Sequence, residues 1–330
     1  MTAAALLHPD ASSSAVQAFR DVSPNIQVLE NLEEASRESH QGKQFSSALI
    51  FGGDGTVHRH LQKLYKLKIP ALIVPKGSGN DFAKALGIAN DKIALSAWKR
   101  FCSHGDNVKE IDLGVIRPVG TSGAVVPDNV SSITAPATSE TLFCCVTGIG
   151  LDAEANRRAN AMPKWLRGSA GYVLAGLQAM MRFAPTEITV RANPNPSFST
   201  PSSSSPRFSS PRFSNQASEP LIQKPGMFVA IGNAGRYGGG ARVAPRAKLD
   251  DGLLDVCFVG ELGRIGVVVR FPTIFFGAHT SLKVVEYFQS SGVRIESGRP
   301  LEVYADGEAI CQTPVEISVL PRALKVIVLA

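Results

Sequence analysis

Two glycine-rich stretches each set an aspartate where the backbone can lie directly against a ligand. The first is Gly52-Gly53-Asp54-Gly55-Thr56, and the second is Pro75-Lys76-Gly77-Ser78-Gly79-Asn80-Asp81. Glycines let a loop turn sharply and bring bare N–H groups close to a phosphate. Aspartates beside them supply the hard oxygens that magnesium prefers. Three further acidic settings read by themselves as structural: Asp112 in the run KEIDLG as a turn or edge residue, Asp250-Asp251 before Gly252 as a plain turn, and Asp306-Gly307-Glu308 as a hairpin turn. A phosphate cradle, a divalent cation and a carboxylate that accepts a proton are the parts phosphoryl transfer requires. The sequence has no GxxxxGK[ST] run, so the cradle is not a P-loop. His58 and His60 lack a third ligand nearby and are read as a solvated helix face.

The elements that must position these residues repeat a unit. Ala48–Phe51 is a short apolar run, as in a buried strand, and it leads into the first glycine loop. Val57, Leu61 and Leu64 then recur at helical spacing, with Thr56 suited to cap the helix. Ala71–Val74 repeats the pattern before the second loop, followed by a helix from Asp81 to Leu86 that Gly87 can stop. Successive strand-loop-helix units imply right-handed crossovers and a parallel sheet, with both loops at the carboxyl ends of strands. Ala3–Leu7 and Asn25–Leu29 read as further strands, and Glu30–Gln41 and Asp91–Phe101 as helices, Trp98 facing inward. Beyond residue 113 the pattern turns β-rich. Leu142–Val146, Thr186–Arg191, Met227–Gly232, Val284–Phe288, Val293–Glu296, Val315–Leu320 and Leu324–Leu329 read as strands. Asp306-Gly307 lies between two alternating runs, which is a hairpin pattern. Gly263–Phe276 is apolar, carries Arg264 and Arg270, and reads as a helix broken at Pro272.

The chain has 330 residues, a net charge of +6, 44% hydrophobic and 19% charged residues. That suffices for two domains with a sizeable core, and the basic excess suits an anionic partner. Five cysteines with no CxxC read as buried reduced thiols of a cytoplasmic protein, with no Cys/His metal cluster. No window approaches the apolar length needed to span a bilayer. Asn156–Phe183 interleaves Arg157, Arg158, Lys164 and Arg167 with Trp165 and Leu166, as a peripheral membrane contact would. Residues 193–220, rich in serine and proline, read as a disordered insertion.

GGDGT at 52–56 followed by PKGSGND at 75–81 resembles the catalytic domain of the diacylglycerol/sphingosine lipid kinases, most closely their soluble bacterial-type branch. Gly148–Glu154 (GIGLDAE) and Ala244–Val256 (APRAKLDDGLLDV) extend the resemblance over most of the chain. It implies a fold like NAD kinase and diacylglycerol kinase. An α/β three-layer nucleotide domain, residues 1–113, is rejoined by 316–330. A β-sandwich lipid domain covers 114–315, with the active site in the cleft between the two. It also implies ATP and Mg²⁺ as cofactors and a lipid alcohol, diacylglycerol or a sphingoid base, met at a membrane surface. Nucleotide contacts fall to Gly52, Gly53, Asp54, Gly55, Thr56, Gly77, Ser78, Asn80 and Asp81. Asp54, Asp81 and Asp112 would organise Mg²⁺, and Asp251 a structural Mg²⁺. Asp306 would be the catalytic base, supported by Glu308. An Asp-Gly turn gives Asp306 no structural duty that Asn could not perform, so Asp306→Asn is expected to keep the fold. The chain departs from the family at His8-Pro9-Asp10-Ala11-Ser12, where Asn-Pro-x-Ser-Gly is usual, and at Arg59, where Glu is usual. NAD kinase and a non-catalytic lipid- or nucleotide-binding relative are the alternatives. No nucleic-acid partner is expected, and edge strands leave room for a homodimer.

Overall fold

The computed structural model describes residues 3–7, 14–29, 32, 45–119, 140–151, 183–192, 219–238 and 240–329. The chain divides into two units, Met1–Asp112 with Arg322–Ala330, and Leu113–Pro321.

In the first unit the order is β1 (Ala3–Leu7), α1 (Ser14–Arg20), β2 (Ile26–Leu29), β3 (Ser47–Gly52), α2 (Asp54–Leu67), β4 (Ala71–Pro75), α3 (Asp81–Ala85) and α4 (Asp91–Ser103), then the start of β5 (Val108–Pro118). The sheet is parallel. β1 lies between β2 and β3, β4 lies beside β3, and Val326 pairs parallel with Ala71. From β1 the chain steps one way to β2, and from β3 it steps the other way to β4. Right-handed crossovers therefore put α1 and α2 on opposite faces of the sheet. Both central strands are fully buried, as their unbroken apolar runs dictate. Val57, Leu61 and Leu64 form the buried stripe of α2. Trp98 of α4 is buried, and its indole N–H donates to the Phe19 carbonyl (3.3 Å), while Phe19 meets Phe51 edge-on.

The second unit is built from antiparallel pairs. Its strands are β6 (Thr141–Phe143), β7 (Val146–Gly150), β8 (Thr186–Ala192), β9 (Ile222–Gly232), β10 (Leu254–Gly260), β11 (Val285–Ser290), β12 (Gly292–Ser297), β13 (Glu302–Ala305), β14 (Glu308–Gln312) and the first part of β15 (Val315–Ile327). Two short helices, α5 (Arg264–Arg270) and α6 (Thr273–Phe276), lie between β10 and β11. β9 pairs with β7, β8 and β10, and β12 joins β8 to β15. Ile149, Ile188, Val229, Val256, Phe258 and Ile295 belong to its single large core. Burial pushes the Cys257 and Cys311 thiols up to about 12, so both stay protonated at neutral pH.

Several sequence expectations change. Leu142–Val146 is not one strand: β6 and β7 are separated by a bend at Cys144-Cys145. Gly148-Ile149-Gly150 completes β7, and helix begins directly after it, at Leu151. This run pairs with β9, and Gly148 and Ile149 also pair with β13. The two closing strands are one, β15, with Arg322 at φ +50° inside it. Val315–Ser318 pairs with β12, so the return to the first unit falls at Pro321/Arg322 rather than at residue 316. Thr56 does not cap α2. The helix already starts at Asp54 and has no side-chain cap. The readings at residues 8–12, 120–139, 152–182 and 193–218, and at 30–41 apart from Leu32, lie outside the described residues.

Gly114 of β5 pairs with Phe143, whose ring occupies the space a side chain would take: a Cβ there would stand 2.0 Å from two ring carbons. Gly114→Ala is therefore expected to destabilise the protein by about 1–3 kcal/mol. Gly263→Ala, with open space around it but at the N-cap of α5, should cost no more than about 1 kcal/mol. Urea unfolding of the two variants checks the contrast.

Candidate active site

The first unit builds its half from strand register. Gly52 pairs with Pro75 and Phe51 with Val74, so β3 and β4 release their glycine loops at the same level. The loops then touch. A Cβ on Gly77 would stand 2.6 Å from the Gly53 Cα, and one on Gly53 would stand 2.9 Å from the Gly77 Cα. Only glycine permits that approach. The Lys76 N–H donates to the Gly52 carbonyl (3.1 Å). Asp54 ties the loops together: its Oδ2 accepts from the Asp81 N–H and its Oδ1 from the Phe82 N–H, each at 3.0 Å. The side chain thus satisfies two N–H groups of α3, a helix with no cap of its own.

Asn80 shapes the second loop from within. It sits in the left-handed region at φ +53°, which asparagine tolerates. Its Oδ1 accepts the Gly77 N–H (2.8 Å) and its Nδ2 donates to the Gly77 carbonyl (2.6 Å). The Lys84 ammonium donates to the Gly79 carbonyl, and Lys76 pairs with Asp91. Gly77 and Ser78 are exposed. α2 begins at Asp54, directly in the first loop, so the positive end of a 14-residue helix faces the same region. Asp81 is buried. A Cβ on Gly79 would lie 3.1 Å from Asp54 Oδ2 and 3.8 Å from Asp81 Oδ2, so both carboxylates face one point beside Gly79. Two hard oxygens at one point fit a divalent cation of the magnesium class. Asp112 is buried in β5, and its Oδ1 accepts the Arg322 N–H (2.8 Å), which fastens the returning strand.

In the second unit the Asp306-Gly307 turn joins β13 to β14 and gives its two acids different surroundings. Asp306 is buried at φ +50°. Its Oδ1 accepts the N–H groups of Cys145 (2.8 Å) and Val146 (3.2 Å). Its Oδ2 accepts the Cys144 N–H (2.9 Å) and lies 3.4 Å from the Cys144 thiol. Glu308 is exposed. Asn233 holds the same bend from its carbonyl side: its side chain donates to the Cys144 carbonyl (3.0 Å), and its N–H donates to the Cys145 carbonyl (2.8 Å). Asp306 and Asn233 thereby account for the break between β6 and β7. Asp251 is exposed and accepts the Leu253 N–H (3.1 Å) in a local turn.

The expected residues thus fall into two sets. Gly52–Thr56, Gly77–Asp81 and Asp112 belong to the first unit, and Asp251, Asp306 and Glu308 to the second. Sequence reasoning missed the Asn233 clamp. It lies in the run NAGRYGGG at the end of β9. It also passed over Asp255, which is buried, carries a pKa raised by desolvation, and accepts from Gln289 (3.1 Å). Cys144, Cys145 and Asp306 bring potential metal-ligand atoms within 4.8 Å of one another, a grouping that spacing did not suggest. Hydrogen bonds from the bend already engage both Asp306 oxygens, so it is a hydrogen-bonded turn. Arg59, at the position where Glu was expected, is exposed and donates to the Gly55 carbonyl (3.2 Å). Burial lowers the His60 pKa, so its imidazole is neutral at pH 7.

Known families match both parts of the chain. The diacylglycerol kinase catalytic domain family matches residues 10–116. The family described as YegS C-terminal NAD kinase beta sandwich-like domain matches residues 145–328, more than half the chain. A diacylglycerol kinase of Mycobacterium tuberculosis (strain ATCC 25618 / H37Rv) is 30% identical over 291 residues, covering 86% of this chain and 77% of the relative. A diacylglycerol kinase of Bacillus subtilis (strain 168) is 23% identical over 321 residues, covering 91% and 89%. A crystal structure of a diacylglycerol kinase from Bacillus anthracis str. Sterne shares the fold, with a TM-score of 0.66 at 19% identity over 99% of this chain and 97% of that one. A nucleotide-type α/β unit followed by this β-sandwich defines a class of lipid kinases. The chain belongs to the diacylglycerol kinase family, with a second domain of the YegS type.

The geometry revises the expectation for Asp306→Asn. An amide has one acceptor oxygen where the carboxylate has two, and its NH₂ would face N–H donors. The variant is expected to lose about 1–3 kcal/mol of stability. Glu308→Gln, at an exposed position, should change stability by about 0.5 kcal/mol or less. Denaturant midpoints of the two variants decide between this and the sequence-based expectation.

Proposed function

We propose that the protein transfers the γ-phosphoryl group of ATP, with Mg²⁺, to the hydroxyl of a lipid alcohol, diacylglycerol first and a sphingoid base second. The observation that carries this reading is the paired glycine loops. In-register strands, the Gly53–Gly77 contact and the Asp54 bonds hold two sets of backbone N–H groups together beside a helix N-terminus. Such a cradle suits a polyphosphate, whose charge it meets with N–H groups already in place. Family membership supports a kinase, and the Mycobacterium and Bacillus relatives, which are diacylglycerol kinases, support a diacylglycerol.

In this reading Gly52, Gly53, Gly55, Gly77 and Ser78 contribute backbone to the phosphates, and Asn80 keeps the second loop open. Thr56 is buried and packs under Gly52, so its part is to hold the loop's shape. Asp81 and Asp54 would hold Mg²⁺, which when bound offsets phosphate charge. Asp251 is assigned a structural cation of the same class. Asp112 positions the returning strand through Arg322. We reassign the proton acceptor. Asp306 is committed to the Cys144-Cys145-Val146 backbone and acts as a positioning residue, while the exposed Glu308 takes the hydroxyl proton. The new bond runs from the lipid oxygen to phosphorus, the bond to the β-phosphate bridging oxygen breaks, and ADP leaves. Orientation carries most of the catalysis in such a transfer, so a weak carboxylate base suffices.

The test is transfer of labelled γ-phosphate from ATP, with Mg²⁺, into mixed micelles holding diacylglycerol, sphingosine, ceramide or phosphatidylglycerol, with NAD as a separate acceptor. Mg²⁺-dependent label in diacylglycerol or sphingosine is the expected result, and Glu308→Gln should reduce it at least about 100-fold. Label in NAD alone, or no label in any acceptor while ATP still binds, overturns the reading.

A further inference from the structure

The helical segment between β10 and β11 faces outward the wrong way for a solvated helix. Ile265, Val268 and Val269 of α5 are 81%, 47% and 68% exposed, and Phe276 of α6 is 78% exposed, whereas Val267 is 1% exposed. Phe271 and Pro272 keep right-handed helical dihedrals between the two helices, so the path is nearly continuous and Pro272 interrupts only its hydrogen bonding. Along that path Ile265, Val268, Val269, Pro272 and Phe276 recur at steps of three, one, three and four, which places them on one stripe. A soluble surface helix presents charge on that side; this one presents four large apolar side chains over a span of about 20 Å.

The segment is basic. Arg270 is exposed at the end of α5, off the apolar stripe, and donates to the Gly266 carbonyl (3.5 Å), and Lys283 is exposed after α6. Arg242 is exposed, and its N–H donates to the Ile274 carbonyl (3.0 Å), which fixes it beside α6. Gly277 allows the close approach: a Cβ there would stand 2.8 Å from Pro245 and 3.9 Å from the Arg242 Cβ. Residues 261–283 contain one acid, Glu261, against three bases. Among the described residues, no helix is long and apolar enough to cross a membrane.

We propose that α5 and α6 form a docking surface for an anionic lipid bilayer, with Ile265, Val269 and Phe276 entering the headgroup–acyl boundary and Arg242 and Arg270 meeting lipid phosphates. An apolar stripe on a segment with excess positive charge, too short to span, fits the interface plane of a membrane. The choice of a bilayer over a protein partner rests on the lipid-kinase reading, because a diacylglycerol is delivered only at a membrane. This segment differs from the basic stretch at residues 156–183 that the sequence suggested, of which all but Phe183 lies outside the described residues.

Flotation of the full chain with phosphatidylcholine vesicles, with and without phosphatidylglycerol, tests the surface without using turnover. The expected result is binding to the anionic vesicles that weakens with salt. Ile265→Ser/Val269→Ser should lower partitioning about tenfold or more, and Arg242→Glu/Arg270→Glu should abolish the preference for phosphatidylglycerol. Phosphorylation of a soluble short-chain diacylglycerol should be unchanged in both variants. Unaltered flotation of the Ile265/Val269 variant overturns the proposal, as does absence of binding by the native chain. A dimer in sedimentation equilibrium that the same substitutions dissociate, with vesicle binding intact, assigns the stripe to a second copy and also overturns it. Vesicle binding without phosphoryl transfer to any lipid leaves the docking surface standing and removes the kinase reading.

Discussion

Both oxygens of the Asp54 carboxylate accept N–H groups from the start of the next helix, and on that pair of bonds the first unit's functional end depends. The strands beneath set the two loops at one height, but parallel register alone would leave two independent glycine loops. The Asp54 bonds to Asp81 and Phe82, with Gly53 against Gly77, join them into one surface. The same bonds satisfy the otherwise orphaned amides of a five-residue helix, which propensity alone would not sustain. One side chain therefore does structural work and stands beside the proposed cation point. Its substitution tests both at once and cannot separate them.

The second unit uses the same device with the chemistry divided between neighbours. Asp306 spends its carboxylate on three amides of the Cys144–Val146 bend, and Asn233 holds the carbonyls of that bend. Removing the backbone's freedom at this point fixes the β13–β14 turn, and with it the direction in which Glu308 leaves the hairpin. The Asp306 carboxylate is buried and fully bonded, whereas that of Glu308, two residues on, is exposed.

Much of this was legible in the sequence where a local rule was sufficient. Unbroken apolar runs gave β3 and β4, helical spacing gave α2, and Asp-Gly between alternating runs gave the β13–β14 hairpin. What escaped depended on contacts between distant residues. The bend at Cys144-Cys145 looks like the middle of an apolar strand until Asp306, 162 residues away, takes up its Cys144 amide. The expectation that Asn could replace Asp306 without harm to the fold followed from its turn alone, and the turn says nothing of which donors surround the carboxylate. Likewise the apolar composition of Gly263–Phe276 announced a helix but not that its stripe would face outward.

The most direct test of the central claim leaves every charged group in place. Gly77→Ala adds one methyl group that would stand 2.6 Å from the Gly53 Cα, so it forces the two loops apart without touching Asp54, Asp81 or Glu308. Calorimetric titration of this variant with ATP and Mg²⁺, alongside far-ultraviolet circular dichroism, separates loop geometry from folding. The account predicts a native-like spectrum with ATP affinity lowered about tenfold or more, equivalent to about 1.4 kcal/mol. A folded variant that binds ATP as tightly as the native protein would contradict it, because the joined loops would then not be the phosphate cradle.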